Sequence, residues 1–415
     1  MTSLRKLLGD KRGNALLLMG AGLPMLIGAA GLASDTIQWS LWKRQLQKAA
    51  DSAAIAGVYA KIASQDVNTA VTYDLGKNNQ VGYTLLGSPA VGSGPDGADY
   101  NNVVTVKLEM QHALGFTSVF MATPPTITAT ANAAAVESGE YCVKSLIKTN
   151  ATGISAGGNV TVDLGCGMIT NSTSMDAAVA FGSSLVKATP VAAVGGLDKT
   201  DNWAAGTTLL PFTLAAEDPF IDVPPPTIPS GCNSNFSDSP GSNQTWPTAA
   251  PASGVVCVTN WNSKGTVNLQ PNTTYIITGN MDANSGAIIN CTGCTFVLTN
   301  SNPSSTGGVN FNGGATINVS APDTGTYKGL VFYQNRGAPS GAVNKINGNS
   351  SSYFKGAFYF PNQEIEYTGN SGVNFDCVKL VSLKVSFMGN SKLKNNCPAD
   401  WYGDTFKGRH VRLVG

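Results

Sequence analysis

Histidine is nearly missing from this chain: only His112 and His410 occur in 415 residues. A Ser-His-Asp or Cys-His nucleophilic set needs an imidazole to move the proton. His112 falls outside the repeat-bearing region and His410 sits in the tail, so no such set is expected. Charge is scarce as well. Charged residues make up 12%, with 26 Lys and Arg against 25 Asp and Glu, where soluble domains carry about 25%. The balance supplies no basic field for a nucleic acid, and no nucleic-acid partner is expected. A G-x-x-x-x-G-K-[ST] phosphate loop is absent, which removes the common route to nucleotide chemistry. No cofactor and no metal are expected. Cysteine is absent from the first third of the chain.

Eight cysteines follow: Cys142, Cys166, Cys232, Cys257, Cys291, Cys294, Cys377 and Cys397. An even count confined to one region fits disulfides formed in an oxidising compartment. The rival is zinc, because Cys291-Thr-Gly-Cys294 has C-x-x-C spacing. A structural zinc site wants a second such pair or two histidines at ligand spacing, and the chain has neither. Disulfides are favoured, with their connectivity open.

The N-terminal segment carries the clearest physical signal. Arg5, Lys6, Lys11 and Arg12 precede an uncharged run from Gly13 to Ser34 that includes Ala15, Leu18, Pro24 and Leu32. About 20 apolar residues span a bilayer as a helix, and Pro inside such a helix is tolerable. Residues 13–34 are therefore expected to anchor the chain, with residues 1–12 as a cytoplasmic stub by the basic flank. Lys43, Arg44 and Lys48 beyond the span weaken that asymmetry. A cleaved signal peptide would have a shorter apolar core and a non-helical mature start. Here Trp42, Leu46, Ala49, Ala53 and Ala56 continue at three- and four-residue steps, which predicts one helix from Asn14 to about Ile62, roughly 70 Å long. Trp39 and Trp42 would sit at the headgroup layer.

Lys11-Arg12-Gly13-Asn14, Leu23-Pro24, Gly28-Ala-Ala-Gly-Leu32, Asp35 and Leu46-Gln-Lys-Ala-Ala-Asp-Ser-Ala-Ala-Ile-Ala56 together resemble the N-terminal segment of TadE/TadG-like Flp (Tad) pilus-assembly proteins. The resemblance implies a bacterial inner-membrane, single-pass protein with its N-terminus in the cytoplasm and its bulk periplasmic or extracellular. It also implies other pilus-assembly proteins as partners. Prepilin-like members carry a glutamate five residues after the processed glycine, and here that place holds Leu18. The match is therefore to the unprocessed, TadG-like branch. The resemblance extends weakly to Phe116, Phe120 and the Ala/Thr-rich stretch that follows. It extends further to Lys328-Gly-Leu-Val-Phe-Tyr-Gln-Asn-Arg336 and Phe354-Lys-Gly-Ala-Phe-Tyr-Phe-Pro361. The D-x-S-x-S metal motif that other TadG-like chains carry is absent.

The remaining chain is expected to be mainly β. Val103 to Met110 and Thr126 to Ala135 alternate apolar with polar, as half-buried strands do, so residues 35–138 read as the outer half of the helix with a small α+β unit. Residues 139–415 read as a parallel β-solenoid (β-helix). Gly348-Asn-Ser350, Gly369-Asn-Ser371 and Gly389-Asn-Ser391 recur at steps of 21 and 20 residues, preceded by Ile346, Tyr367 and Phe387 two places before each glycine. Gly308-Val-Asn-Phe311 recurs as Gly372-Val-Asn-Phe375, and Gly158-Asn159 and Gly279-Asn280 look like further instances. A period near 20 with Gly-Asn corners suits coils that stack apolar position on apolar position, with Asn side chains forming ladders. The alternative is a Greek-key sandwich; the three triplets favour the solenoid. The Pro/Ser-rich stretch 211–253 reads as an excursion from it, pinned by Cys232 and Cys257.

β-Helices often cleave polysaccharides, which needs converging carboxylates. Glu364 and Glu366 form the single plausible pair, and their plainer reading is an outer-face charge pair. The leading expectation is a non-catalytic pilus-assembly or secretion component. An anchored surface adhesin comes second, and a polysaccharide-active enzyme built on Glu364 and Glu366 third.

Overall fold

The computed structural model describes residues 14–78, 84–347, 349, 351–369, 373–389, 392–395 and 406–414. The expected stub 1–12, Cys397, Asn370 and Ser371 of the middle triplet, Gly372 and parts of the other two triplets lie outside them. The chain forms two compact units, Met1–Val136 with Val411–Gly415, and Glu137–His410.

In the first unit, helix α1 runs from Asn14 to Ile62, 49 residues with Pro24 inside. Ala and Leu are its commonest residues, and both lose little freedom in a helix. It stops where Ser64 takes a left-handed φ of 55° and Gln65 N–H closes on Ala60 O at 2.8 Å. Asp66 Oδ1 then accepts from Thr69 N–H at 2.7 Å, capping α2 (Val67–Asn78). Strands 90–92, 100–111 and 126–136 make an antiparallel meander. Its apolar positions, Val104, Val106, Leu108 and Met110 opposite Ala133, Ala131, Ala129 and Ile127, are all buried. The helix meets them with Leu46, Ala49, Ala50, Ala53 and Ala54, also buried. Small residues permit the close approach. A Cβ on Gly57 would stand 2.9 Å from Val104 Cγ1. The Ala/Thr-rich strand is longer than expected, continuing to Ser145.

The second unit is a large parallel-strand domain, and each short strand pairs with the corresponding strand one circuit further along the chain. One row links Phe236, Trp261, Met281 and Val309. A second links Gln244, Val267, Ile289 and Ile317. A third links Val258, Ile277, Leu298 and Gln334. The circuit is 20 residues from Trp261 to Met281 and lengthens to 28 from Met281 to Val309, where the segment Pro303–Ser305 is inserted. In-register side chains stack through the interior: Tyr275 on Phe296 at 5.6 Å, Phe296 on Phe332 at 5.4 Å, Phe332 against Phe358 at 5.0 Å. Outward asparagines form a ladder, Asn268 to Asn243 at 3.2 Å, Asn290 to Asn268 at 2.9 Å and Asn318 to Asn290 at 2.9 Å.

Spatial order differs from chain order. Strand 373–389 carries strand 353–369 on one side and the earliest strands of the domain on the other, with Leu380 opposite Val143 and Val385 opposite Ile154. The circuits of residues 141–210 therefore continue the stack beyond residue 389. The third row is buried on both faces, because residues 214–223 and Phe406 cover its outside with Tyr333, Tyr359, Val381 and Ile169 beneath.

The glycine corner holds where it is described. Gly389 pairs with Gly369, Asn159 N–H donates to Gly389 O at 2.9 Å, and Ser183 N–H donates to Gly158 O at 2.9 Å. Gly389, Gly158 and Gly182 all have φ between 71° and 90°. Ile346, Tyr367 and Phe387 are buried. Gly279 belongs to a different corner, ahead of Met281. The Gly308–Phe311 and Gly372–Phe375 recurrence also falls out of register. Val309 stands in the row of Met281, whereas Asn374 pairs with Tyr353, which pairs with Asn318 of the second row. Inserted loops break the spacing that made it look periodic.

Candidate functional site

The membrane-anchor candidates all lie in α1. The helix includes Ala15 and Leu18, whose side chains are outside the described set, and Pro24 is accommodated inside it. Met19, Leu23, Met25, Leu26, Ile27 and Leu32 are each more than half exposed. Among the described residues, no helix is long and apolar enough to cross a membrane. A helix that leaves large apolar side chains this exposed nevertheless marks an interaction surface.

One loop closes on this helix. Asp35, 4% exposed, accepts hydrogen bonds from Phe116 N–H at 3.1 Å, Thr117 N–H at 2.5 Å and Thr117 Oγ1 at 2.6 Å. These bonds cap the 3₁₀ turn Thr117–Val119. The Phe116 ring lies over Gly31, where a Cβ would stand 2.4 Å from it, and reaches Gly28. Further along, Trp42 stacks on His112 with centroids 4.5 Å apart. Glycine at position 31 and aspartate at 35 are thus what the helix needs to seat the loop. Sequence reading found both residues but could not pair them with a loop about 80 positions later.

Residues 13–63 match the Tad family, Flp pilus-assembly TadE/G-like. The N-terminal segment is TadE/G-like. The match spans α1 from end to end. It supports involvement in Flp pilus assembly, a cell-envelope location and other pilus-assembly components as partners. No curated protein and no solved structure matches the chain significantly.

Beyond the TadE/G-like helix, the cysteines pair as Cys142–Cys166, Cys232–Cys257 and Cys291–Cys294, and Cys377 is also disulfide-bonded. The C-x-x-C pair is thus a disulfide rather than a zinc half-site. Cys232–Cys257 ties the irregular stretch to the third-row strand Val255–Val258. Glu364 and Glu366 do share the outer face of one strand, half-buried either side of the inward Ile365. Glu364 stands opposite Lys384 and accepts from Ser386 Oγ, and Glu366 stands opposite Lys345.

Proposed function

We propose that the chain is a non-catalytic, membrane-anchored component of a Tad/Flp-type pilus assembly or secretion apparatus, of the TadG-like branch. Residues 13–34 anchor it in the bacterial inner membrane as a single pass. The N-terminus stays cytoplasmic and the bulk is periplasmic or extracellular. The observation that carries this reading is the row of exposed apolar side chains on α1 within the segment that matches the Tad family. Leaving a Leu or Ile in water forgoes about 1.5–3 kcal/mol of burial, and a bilayer recovers it. The anchor reading counts the whole uncharged run from Gly13, which begins ahead of the first described side chain, Met19.

Leu18 in place of the prepilin glutamate supports an unprocessed anchor rather than a polymerising subunit. The parallel stack reads as a β-solenoid that engages pilus or secretion-machine partners. Its outer Asn ladder favours a second reading, an anchored adhesin. Glu364 and Glu366, each facing a lysine position, read as outer-face charges, and Glu364→Gln is expected to abolish no glycan-cleaving activity. The deciding experiment deletes the gene and images the cells. Loss or miscounting of pili is expected; normal pilus number and adhesion would sink this proposal.

A further inference from the structure

We infer that the loop from Leu114 to Met121 is a second membrane contact, a wedge that enters the headgroup and upper acyl layer of a phospholipid bilayer beside the anchor helix. The inference rests on the anchor reading above and extends it. Val119, Phe120 and Met121 are 75%, 73% and 48% exposed. Three consecutive exposed apolar side chains at a loop tip lose free energy in water and gain it in lipid. The loop's position supplies the occupant. Asp35 holds its backbone and Gly28 and Gly31 receive the Phe116 ring. Phe116 packs on Phe120 with centroids 5.2 Å apart. The tip is thereby held along the part of α1 that exposes Leu26, Ile27 and Leu32.

Asp35 is the one acidic residue between Gly13 and Trp42. With its carboxylate covered by the loop's donors, the exposed apolar surface continues past it to Ile37 and Leu41. Beyond that level the character changes at once. Trp39 and Trp42 are half-buried, Lys43 lies over the Trp39 ring at 5.4 Å, and Lys43, Arg44 and Lys48 are exposed. Aromatic rings followed by long cationic side chains match the headgroup layer of a bilayer. The three basic residues that blurred the charge asymmetry in sequence thus acquire a role. The bilayer boundary moves from Ser34 to near Leu41, about 10 Å along the helix axis.

The test places a photo-reactive benzoylphenylalanine at single positions of the full chain, reconstituted in vesicles of phosphatidylethanolamine and phosphatidylglycerol. Position 120 probes the wedge, position 26 the anchor and position 73 the exposed Tyr73 of α2. Lipid adducts are expected at 26 and 120, with at least tenfold less at 73. Lipid at 26 with none at 120, or an adduct at 120 to protein instead, overturns the wedge and leaves the anchor standing. Equal lipid labelling at 73 and 120 also overturns it. Lipid at neither 26 nor 120 overturns the anchor reading, and the wedge with it.

Discussion

Arg336 fastens the segment that lets this domain stack out of chain order. After Leu210 the chain passes over the third strand row through residues 214–223 before re-entering the stack at Phe236. Arg336 Nη1 donates to Val223 O at 3.1 Å and to Tyr333 Oη at 3.3 Å; Nη2 donates to Phe220 O, and Nε to Tyr359 Oη at 2.9 Å. The guanidinium also lies over the Tyr333 and Tyr359 rings, and Tyr359 Oη donates to Asp218 Oδ2 at 2.6 Å. Arg336→Ala removes the donors to the Val223 and Phe220 carbonyls of that segment. Hydrogen bonds with a charged partner contribute about 1.5–3 kcal/mol each, and half-burial favours the low end, so the segment loosens by about 3 kcal/mol. That is roughly two decades in a local opening constant. Chymotrypsin should then cut after Phe220 about a hundredfold faster, provided opening and closing outpace cleavage. If the loss reaches global stability, Tm falls by about 2–3 °C per kcal/mol in a domain of this size. Arg336→Lys keeps the charge without the fork and should fall between. Wild-type cleavage and Tm in Arg336→Ala would refute the clamp.

Three further predictions come from single positions. Burial lowers the Lys144 ammonium to about 8, with Asp218 and Glu217 opposing that shift in part. The unfolded lysine keeps its proton up to about 10.4, so the unfolded state binds more protons between pH 8 and 10 and stability rises with pH there. Above about pH 10 it falls again as unfolded tyrosines ionise, because burial holds Tyr141, Tyr275 and Tyr327 at about 12. Denaturant melts of Lys144→Met should lack the rise; an unchanged profile would sink this account. Gly158→Ala meets both a φ of 76° and a Cβ 3.0 Å from Gly389 O. It should therefore cost more than the roughly 1–2 kcal/mol of a left-handed alanine alone, the penalty expected of Gly206→Ala, where φ is 87° and the space is open. Equal losses in the two variants would argue against close stacking at that corner. Asn290→Ala breaks the ladder to Asn268 and from Asn318 and should cost about 1–2 kcal/mol by urea titration; no loss would mean the ladder is solvated.

Local pattern was enough to define α1, because a helix is a 3.6-residue rule acting on neighbours in sequence. Asn14 to Ile62 was legible from the apolar run and the three- and four-residue steps that continue it, and those steps also gave the buried face of Leu46, Ala49 and Ala53. The alternation from Val103 to Met110 likewise gave a strand, and the Gly-Asn-Ser triplets gave the step of 21 and 20 residues that separates the parallel-paired Lys345, Glu366 and Ser386. The stacking order was not legible. Leu380 on Val143 joins residues far apart in the chain, and nothing in a period tells which circuits are neighbours. Burial of the third row on both faces had the same difficulty: Leu330 to Gln334 is fully buried because residues 214–223 happen to cross it. Asp35 illustrates the limit at the candidate site. Sequence placed a carboxylate just beyond an apolar run, and only folding brought Phe116 and Thr117 to cover it. Repetition along the backbone determined the elements of this protein, while long-range contacts, invisible to any periodicity, decided which surfaces were left exposed.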